Sequence, residues 1–392
     1  MPQSHIYLDH SATTPVDPAV VEAMLPYWTE HYGNPASMHQ HGREASSGLS
    51  ESRATVADLL HCRSDEIVFT GCGSESDNLA IRGAMWSARK DGKGNHLIIS
   101  AIEHGAVAET AQQLASLFGF DLTVLDVDEY GMVRLDELEA AIRPDTALIS
   151  IMAANNEIGT EQPIDEIGEI ARRHKVLFHS DAVQAAGYRA WDLEKQPIDL
   201  MSMAPHKFYG PKGVGILFVR KGISLESAMT GGGQEDGRRA GTVNVPFAVG
   251  AARAFELAMA RREEQNRHCT RLRDRLIAGI LENCPQDSIQ LTGHPLQRLP
   301  HHASFAVRHA SGNDLLIHLD VAGISGSSGS ACSTGNPKPS ATLEAIGLGP
   351  EWTRGGLRLT VGRHNTMEQI EHTVAALPEV IQKVTAFNLM FS

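Results

Sequence analysis

Between residues 66 and 220 the sequence alternates short apolar runs with amphipathic stretches of helix length, and this alternation restricts the fold more than any other feature. The runs are Glu66-Ile67-Val68-Phe69-Thr70, His96 to Ser100, Leu122 to Val127, Ala147 to Met152, Val176 to Ala182, Leu200 to Met203 and Gly215-Ile216-Leu217-Phe218-Val219. Each is too short for a typical helix and apolar on both faces, which suits a strand covered on both sides. Between and before them lie helical patterns. Glu44 to Leu60 carries Ala45, Leu49, Ala54, Val56, Ala57 and Leu60 on a 3.6-residue period, Leu79 to Met85 forms another, and Ile164 to His174 places Ile164, Ile167, Ile170 and Ala171 on one face. Strand–helix–strand units in series predict an α/β fold with a mostly parallel sheet and helices on both faces.

In such sheets ligands collect beyond the carboxyl ends of the strands. Ser74, His104, Asn156, Asp181, His206 and Lys207 all fall at or just past predicted strand ends. Singly, each reads more naturally as a cap or turn residue. Jointly they read as one site. Lys207 is the most informative member. It follows the run ending at Met203 and precedes a turn forced by Gly210, Pro211 and Gly213. Taken alone it is a surface lysine in a hairpin loop. Pinned between two buried strands, it loses solvation and its pKa falls, which suits a nucleophilic or imine-forming amine. Gly71-Cys72-Gly73-Ser74 follows a strand and leads into a helix, the geometry in which backbone N–H groups and a helix dipole hold a phosphate. Many such turns bind nothing. A lysine for an imine, a carboxylate at a strand end, a histidine before a helix and a phosphate turn are together the parts that pyridoxal phosphate needs.

The flanking sequence is organised differently. Ile6-Tyr7-Leu8 reads as a short strand, Asp9 to Pro15 as a polar turn, and Asp17-Pro18 as the cap and first residue of a helix. Gly231 to Thr242 is a glycine-rich loop with no core pattern, of a length that is usually functional or disordered. A long helix from Pro246 to about Leu281 leads to strands at Ala303–Val307 and Leu357–Val361 and helices at Asn313–Leu319 and Met367–Phe387. A chain of 392 residues is too long for one small core. The expected division is a large domain over 16–262 and a smaller α+β domain built from 1–15 and 263–392. Between Ile324 and Pro337, small flexible residues surround Cys332. This is either a linker with an incidental thiol or a loop that delivers one, since an exposed free cysteine oxidises readily.

Composition removes several classes. A net charge of −13 with no basic run argues against nucleic acid as a partner. There is no 18-residue apolar stretch and no secretory leader pattern at Met1-Pro2-Gln3-Ser4-His5, so neither membrane nor export is expected. Five cysteines, at 62, 72, 269, 284 and 332, have no disulfide spacing and fit a reducing cytoplasm. No CxxC or HExxH spacing accompanies the 19 histidines, so no metal site is expected.

The chain resembles the cysteine desulfurases of the NifS/IscS group, within the class V aminotransferases of fold type I. The resemblance runs from Tyr7-Leu8-Asp9-His10-Ser11-Ala12-Thr13-Thr14 to Arg358-Leu359-Thr360-Val361-Gly362-Arg363-His364-Asn365-Thr366. Its motifs are Gly33-Asn34-Pro35, Glu103-His104, Asn155-Asn156-Glu157, Asp181-Ala182-Val183-Gln184, His206-Lys207, the 231–242 loop and Ser328-Gly329-Ser330-Ala331-Cys332-Ser333, in the same order. It implies that Lys207 carries pyridoxal phosphate and Asp181 faces its ring nitrogen. Gln184 and Asn156 would bond the phenolic oxygen. His104 would stack on the ring and move protons. Gly73, Ser74 and His206 would bind the phosphate, with Thr242 reaching in from a second subunit of a homodimer. Arg358, with Asn156, would hold the carboxylate of L-cysteine. Cys332 would take the sulfur as a persulfide and pass it to an acceptor for iron–sulfur assembly or for tRNA or cofactor thiolation, leaving L-alanine. The rivals are a selenocysteine lyase or aminotransferase of the same fold, or a non-catalytic sulfur carrier. Cys332 argues against a plain aminotransferase; Lys207 with Asp181 argues against a retired site.

Three positions depart from the family pattern. Ala204 stands where a serine is usual, removing one phosphate-binding hydroxyl. Pro205 stands where glycine is common, and Ser74 replaces threonine but keeps the hydroxyl. The sequence stops at Phe391-Ser392, shortly after its last predicted helix, so the longer tail with which some relatives contact a scaffold protein is not expected.

Overall fold

In a computed structural model the chain is described over residues 5–328 and 339–391, with 387–391 as backbone only. A seven-stranded sheet runs in the spatial order Ile67–Thr70, Gly215–Val219, Leu200–Met203, Leu177–Asp181, Thr146–Ser150, His96–Ser100 and Asp121–Leu125. Gly215–Val219 is antiparallel to both its neighbours, Ile67–Thr70 at the edge and Leu200–Met203. The other pairings in the body of the sheet are parallel, as the alternation predicts.

The double burial of these strands follows from their side-chain period of two. Ile67, Phe69, Ile98, Ile149, Phe178, Met201, Ile216 and Phe218 pack into one cluster with Val56, Leu60, Ile167 and Phe255. Val68, Leu97, Ile99, Leu148, Leu200, Leu217 and Val219 pack into another, with Leu79, Met85, Val107 and Leu114. Each fully buried Leu, Ile or Phe stabilises the fold by about 1.5–3 kcal/mol before entropy is counted.

The helix Val245–Asn283 is 39 residues long, about 58 Å at 1.5 Å per residue. Its Ala248, Ala251 and Phe255 join the sheet's core, whereas Cys269, Leu272, Leu276 and Ile280 join a third cluster. That cluster packs the antiparallel sheet of Ile289–Leu291, His302–Val307 and Gly356–Thr360 against the helix Met367–Phe391. The strand Ile6–Tyr7 pairs in parallel with Ile324–Ser325, so the N-terminal segment also sits on this side.

One local expectation needs correction. The helix placed at Leu79–Met85 begins at Gly73 and runs to Lys90. Ser74 to Asn78 look like turn residues by composition, yet Cys72 caps the helix through Glu75 N and Ser76 and Asp77 turn inward. The expected phosphate turn is therefore the first turn of an 18-residue helix.

Candidate active site

A cavity of about 840 Å³ opens at the carboxyl edge of the parallel strands. It is lined by Gly73, Ser74, His104, Asn156, Asp181, Gln184, Ala204, His206, Lys207 and Arg358, among others. Every predicted site residue thus meets there except Thr242, which is exposed and lines no part of it, and Cys332, which lies outside the described residues.

Lys207 ends a short 3₁₀ turn, Pro205–Lys207, directly after the strand Leu200–Met203. Pro205 occupies the first position of that turn, where its missing N–H costs nothing. The lysine Nζ donates to the carbonyl oxygens of Ser11 at 2.6 Å and Ala12 at 2.9 Å. Burial, with the Arg358 guanidinium adding to it, brings its pKa down to about 8, against the opposing pull of Asp181 and Asp9. It is not the solvated loop lysine that the stretch alone suggested.

Asp181 ends the strand Leu177–Asp181 and is 5% exposed. Its Oδ1 accepts the Val183 N–H at 2.9 Å. Burial raises its pKa; His104, the Val183 amide and Lys207 oppose the rise. Gln184, three residues on, donates from Nε2 to the Ser11 carbonyl at 3.0 Å. His104 caps the helix Gly105–Phe118: its Nδ1 accepts the Ala106 N–H at 3.1 Å, which leaves the ring proton on Nε2.

At the phosphate end, Gly73 leaves space that a Cβ would fill, since that atom would meet Val183 Cγ2 at 3.0 Å and Ala204 Cβ at 3.1 Å. Ser74 lies at the same helix start. His206 Nδ1 is 3.2 Å from Thr13 Oγ1, and burial next to Lys207 lowers its pKa to about 4. The residues present fit an anionic, planar, imine-forming cofactor. An amine is held with little solvent, a buried carboxylate shares its cavity, and a helix N-terminus is stripped of side-chain bulk at Gly73.

At the other end, Arg358 is 5% exposed on the strand Gly356–Thr360. Its Nη1 donates to the Asn156 carbonyl at 2.8 Å and its Nη2 to Asp9 Oδ1 at 2.9 Å. The turn that presents Asn156 is fixed by Asn155, whose Oδ1 accepts the N–H groups of Glu157 at 2.8 Å and Ile158 at 2.9 Å. The segment containing Cys332 leaves beside Arg358, where Ser327 and Arg358 exchange backbone hydrogen bonds, and returns at Ser340, whose hydroxyl donates to Glu157 Oε2 at 2.6 Å.

Several participants lie in motif or turn stretches whose sequence assigns them no role. Ser11 and Ala12 act through backbone carbonyls. Glu103 has one carboxylate oxygen bonded to Ser100 and to the Met152 amide, its other oxygen is buried without a partner among the described residues, and burial raises its pKa to about 8. Asp77 lies 3.6 Å from His179 Nε2; burial beside Asp181 pushes its pKa well up. Glu75 joins the phosphate turn to the glycine-rich loop, accepting from Gly71 N at 2.7 Å and from Arg239 Nε at 2.7 Å.

The chain is similar to known proteins in both sequence and fold. Residues 6–373 match the Aminotransferase class-V family. The chain is 49% identical to the cysteine desulfurase IscS of Methanosarcina thermophila over 379 residues, covering 97% of this chain and 92% of that protein. It is 42% identical to the cysteine desulfurase IscS of Dictyoglomus turgidum, covering 98% and 96% respectively. Among solved structures, a NifS-like protein superposes with a TM-score of 0.89 at 36% identity, covering 97% of this chain and 100% of that one. A structure described as SspA in complex with cysteine superposes with a TM-score of 0.79 at 34% identity, covering 92% and 100%.

Proposed function

The chain belongs to the class-V aminotransferase family, and on that premise we propose how its residues divide the work. It is a pyridoxal-phosphate-dependent cysteine desulfurase. The bound cofactor supplies an electron-withdrawing ring that weakens bonds at the substrate's carbons.

Lys207 would carry the cofactor; its support is the desolvated amine held by Ser11 and Ala12. Asp181 would keep the cofactor's ring nitrogen protonated, as a buried carboxylate opposite a cation does. Gln184 and Asn156 would bond the cofactor's phenolic oxygen. Gly73, Ser74 and His206 would hold its phosphate, with Thr242 supplied by the other copy in a homodimer. The exposure of Thr242, away from its own chain's cavity, supports that last assignment. His104 would lie over the ring and move protons at Nε2, the ring nitrogen that carries one. Arg358 would receive the substrate carboxylate, a task suited to a planar fork of donors, with Asn156 beside it.

Cys332 would attack the substrate's sulfur. A sulfur–sulfur bond forms, the carbon–sulfur bond breaks with its electron pair staying on the substrate, and protonation there yields L-alanine. The anchoring of both ends of its segment beside Arg358 and Glu157 supports this role. The persulfide would pass to a sulfur-acceptor protein for iron–sulfur assembly or for tRNA or cofactor thiolation. A cytoplasmic setting is supported by four free cysteines among the described residues, where no helix is long and apolar enough to cross a membrane.

The observation that carries the reading is the placement of Lys207, Asp181 and Arg358 around one cavity. Incubation with L-cysteine and a thiol acceptor tests it. Equal amounts of alanine and released sulfide are expected. A keto acid in place of alanine would identify an aminotransferase instead.

A further inference from the structure

We infer that Asp9 is the resident counter-anion of Arg358: it aims the guanidinium and keeps its affinity for carboxylates low enough for product to leave. The inference rests on the reading that Arg358 receives the substrate carboxylate.

The backbone of Arg358 is fixed, paired with Ser304 on one side and exchanging hydrogen bonds with Ser327 on the other. Only side-chain torsions remain to aim the guanidinium, and two contacts set its plane. Nη1 donates to the Asn156 carbonyl and Nη2 to Asp9 Oδ1, while Nε is buried with no partner among the described residues. The Asn156 carbonyl also lies 3.2 Å from His302 Nε2. Of the guanidinium's two contacts among the described residues, Asp9 is therefore the anionic one. Glu157, which also lines the cavity, is engaged by Ser340.

Asp9 is itself held from elsewhere. Its carbonyl accepts from the Tyr7 hydroxyl at 3.0 Å and from Ala12 N at 3.0 Å, and its backbone bridges to Thr360. The same turn supplies the carbonyls that hold Lys207. Asp9 thus arrives at Arg358 on a rigid arm.

The electrostatic consequence is direct. A carboxylate approaching a guanidinium that is already paired gains less than one approaching a bare guanidinium, because the two carboxylates repel. L-Cysteine and L-alanine carry the same carboxylate, so a clamp that binds one tightly also detains the other. Tighter uniform binding lowers KM without raising kcat, and it slows a reaction limited by product release.

The test uses the cofactor-loaded enzyme and its Asp9→Asn variant, which keeps shape and an acceptor oxygen but loses the charge. L-Alanine binding is followed by cofactor absorbance, and propionate, a carboxylate without the amine, by calorimetry. Both ligands are expected to bind about fivefold tighter or more in the variant. KM for L-cysteine should fall, and product inhibition by alanine should strengthen. Equal or weaker binding of both ligands overturns the inference. If the variant does not fold, Asp9→Ser, which also removes the charge, gives the same readout. Arg358→Gln separates the two claims. If it leaves propionate binding unchanged, the clamp reading fails. If it abolishes binding while Asp9→Asn does not tighten it, only the counter-anion inference fails.

Discussion

Lys207 Nζ donates to the carbonyl oxygen of Ser11 at 2.6 Å, across 196 residues of chain. That oxygen also accepts from Gln184 Nε2, and the Ser11 hydroxyl lies 3.1 Å from His301 Nε2. The amine thus projects from the large sheet, but the N-terminal turn holds it. The two carbonyls, Asp181 and Asp9 favour the charged amine, but burial and the Arg358 guanidinium outweigh them and favour proton loss.

The pH dependence of cofactor uptake follows. The neutral amine is the nucleophile, and a pKa of about 8 leaves it mostly protonated below that pH. Uptake of pyridoxal phosphate by the cofactor-free protein should therefore rise about tenfold per pH unit below 8 and level off above it. Rapid-mixing absorbance measures this. A rise continuing to pH 10 would show an ordinary lysine.

Glu103 makes a stability prediction for the cofactor-free protein. Burial raises its pKa from 4.5 to about 8. Between these values the folded chain binds the proton and the unfolded chain does not, so stability falls as pH rises through the window. The slope from this group is about 1 kcal/mol per pH unit. Glu103→Gln removes it and should flatten the profile between pH 5 and 8 in urea unfolding. An unchanged slope would show that Glu103 is ionised in the folded protein.

Ala204 bears on phosphate affinity. It is 1% exposed and touches the space beside Gly73. Ala204→Ser restores a hydroxyl there, and one added charge-assisted hydrogen bond should tighten cofactor binding by about tenfold. Equilibrium dialysis decides; affinity equal to the wild type refutes a weakened phosphate site.

The glycine-rich loop is anchored by Glu235, whose side chain is 1% exposed. It makes a two-point pair with Arg53, at 2.8 and 2.7 Å, and accepts the Phe69 N–H at 3.0 Å. Glu235 and Asp236 both have positive φ, strain that these contacts hold in place. Glu235→Ala strands the arginine and should cost about 3 kcal/mol. Faster proteolysis within Gly231–Thr242 is the accompanying sign, and unaltered denaturant unfolding would contradict it.

The parts of this molecule that were legible in the sequence share one property. Strands such as Leu97–Ile99 and Gly215–Val219 are buried on both faces, so the apolar run itself marks them. Leu135–Ala141 buries only Leu138 and leaves no stripe to read. Ile289–Leu291 is three residues long. In the site, residues at strand ends were visible because topology brings strand ends together. The roles of Asp9, Ser11 and Ala12 were not, since the Asp9 contact to Arg358 crosses 349 residues, those of Ser11 and Ala12 to Lys207 cross 196 and 195, and the latter two use only carbonyl oxygens. The burial of Asp77 and Glu103 was equally hidden, because a polar residue in a turn-like stretch gives no sign of what covers it.

If Lys207 and Cys332 serve one reaction, persulfide on the cysteine and alanine must form together. The cofactor-loaded enzyme is mixed with L-cysteine, the thiols are alkylated, and the peptides are weighed by mass spectrometry alongside measurement of alanine. One extra sulfur is expected on the peptide containing Cys332, in step with the first equivalent of alanine, and neither product in Lys207→Ala. Cys332→Ala should keep intact cofactor absorbance but form no persulfide. Undiminished alanine and sulfide production by Cys332→Ala would show that the two residues do not serve one reaction.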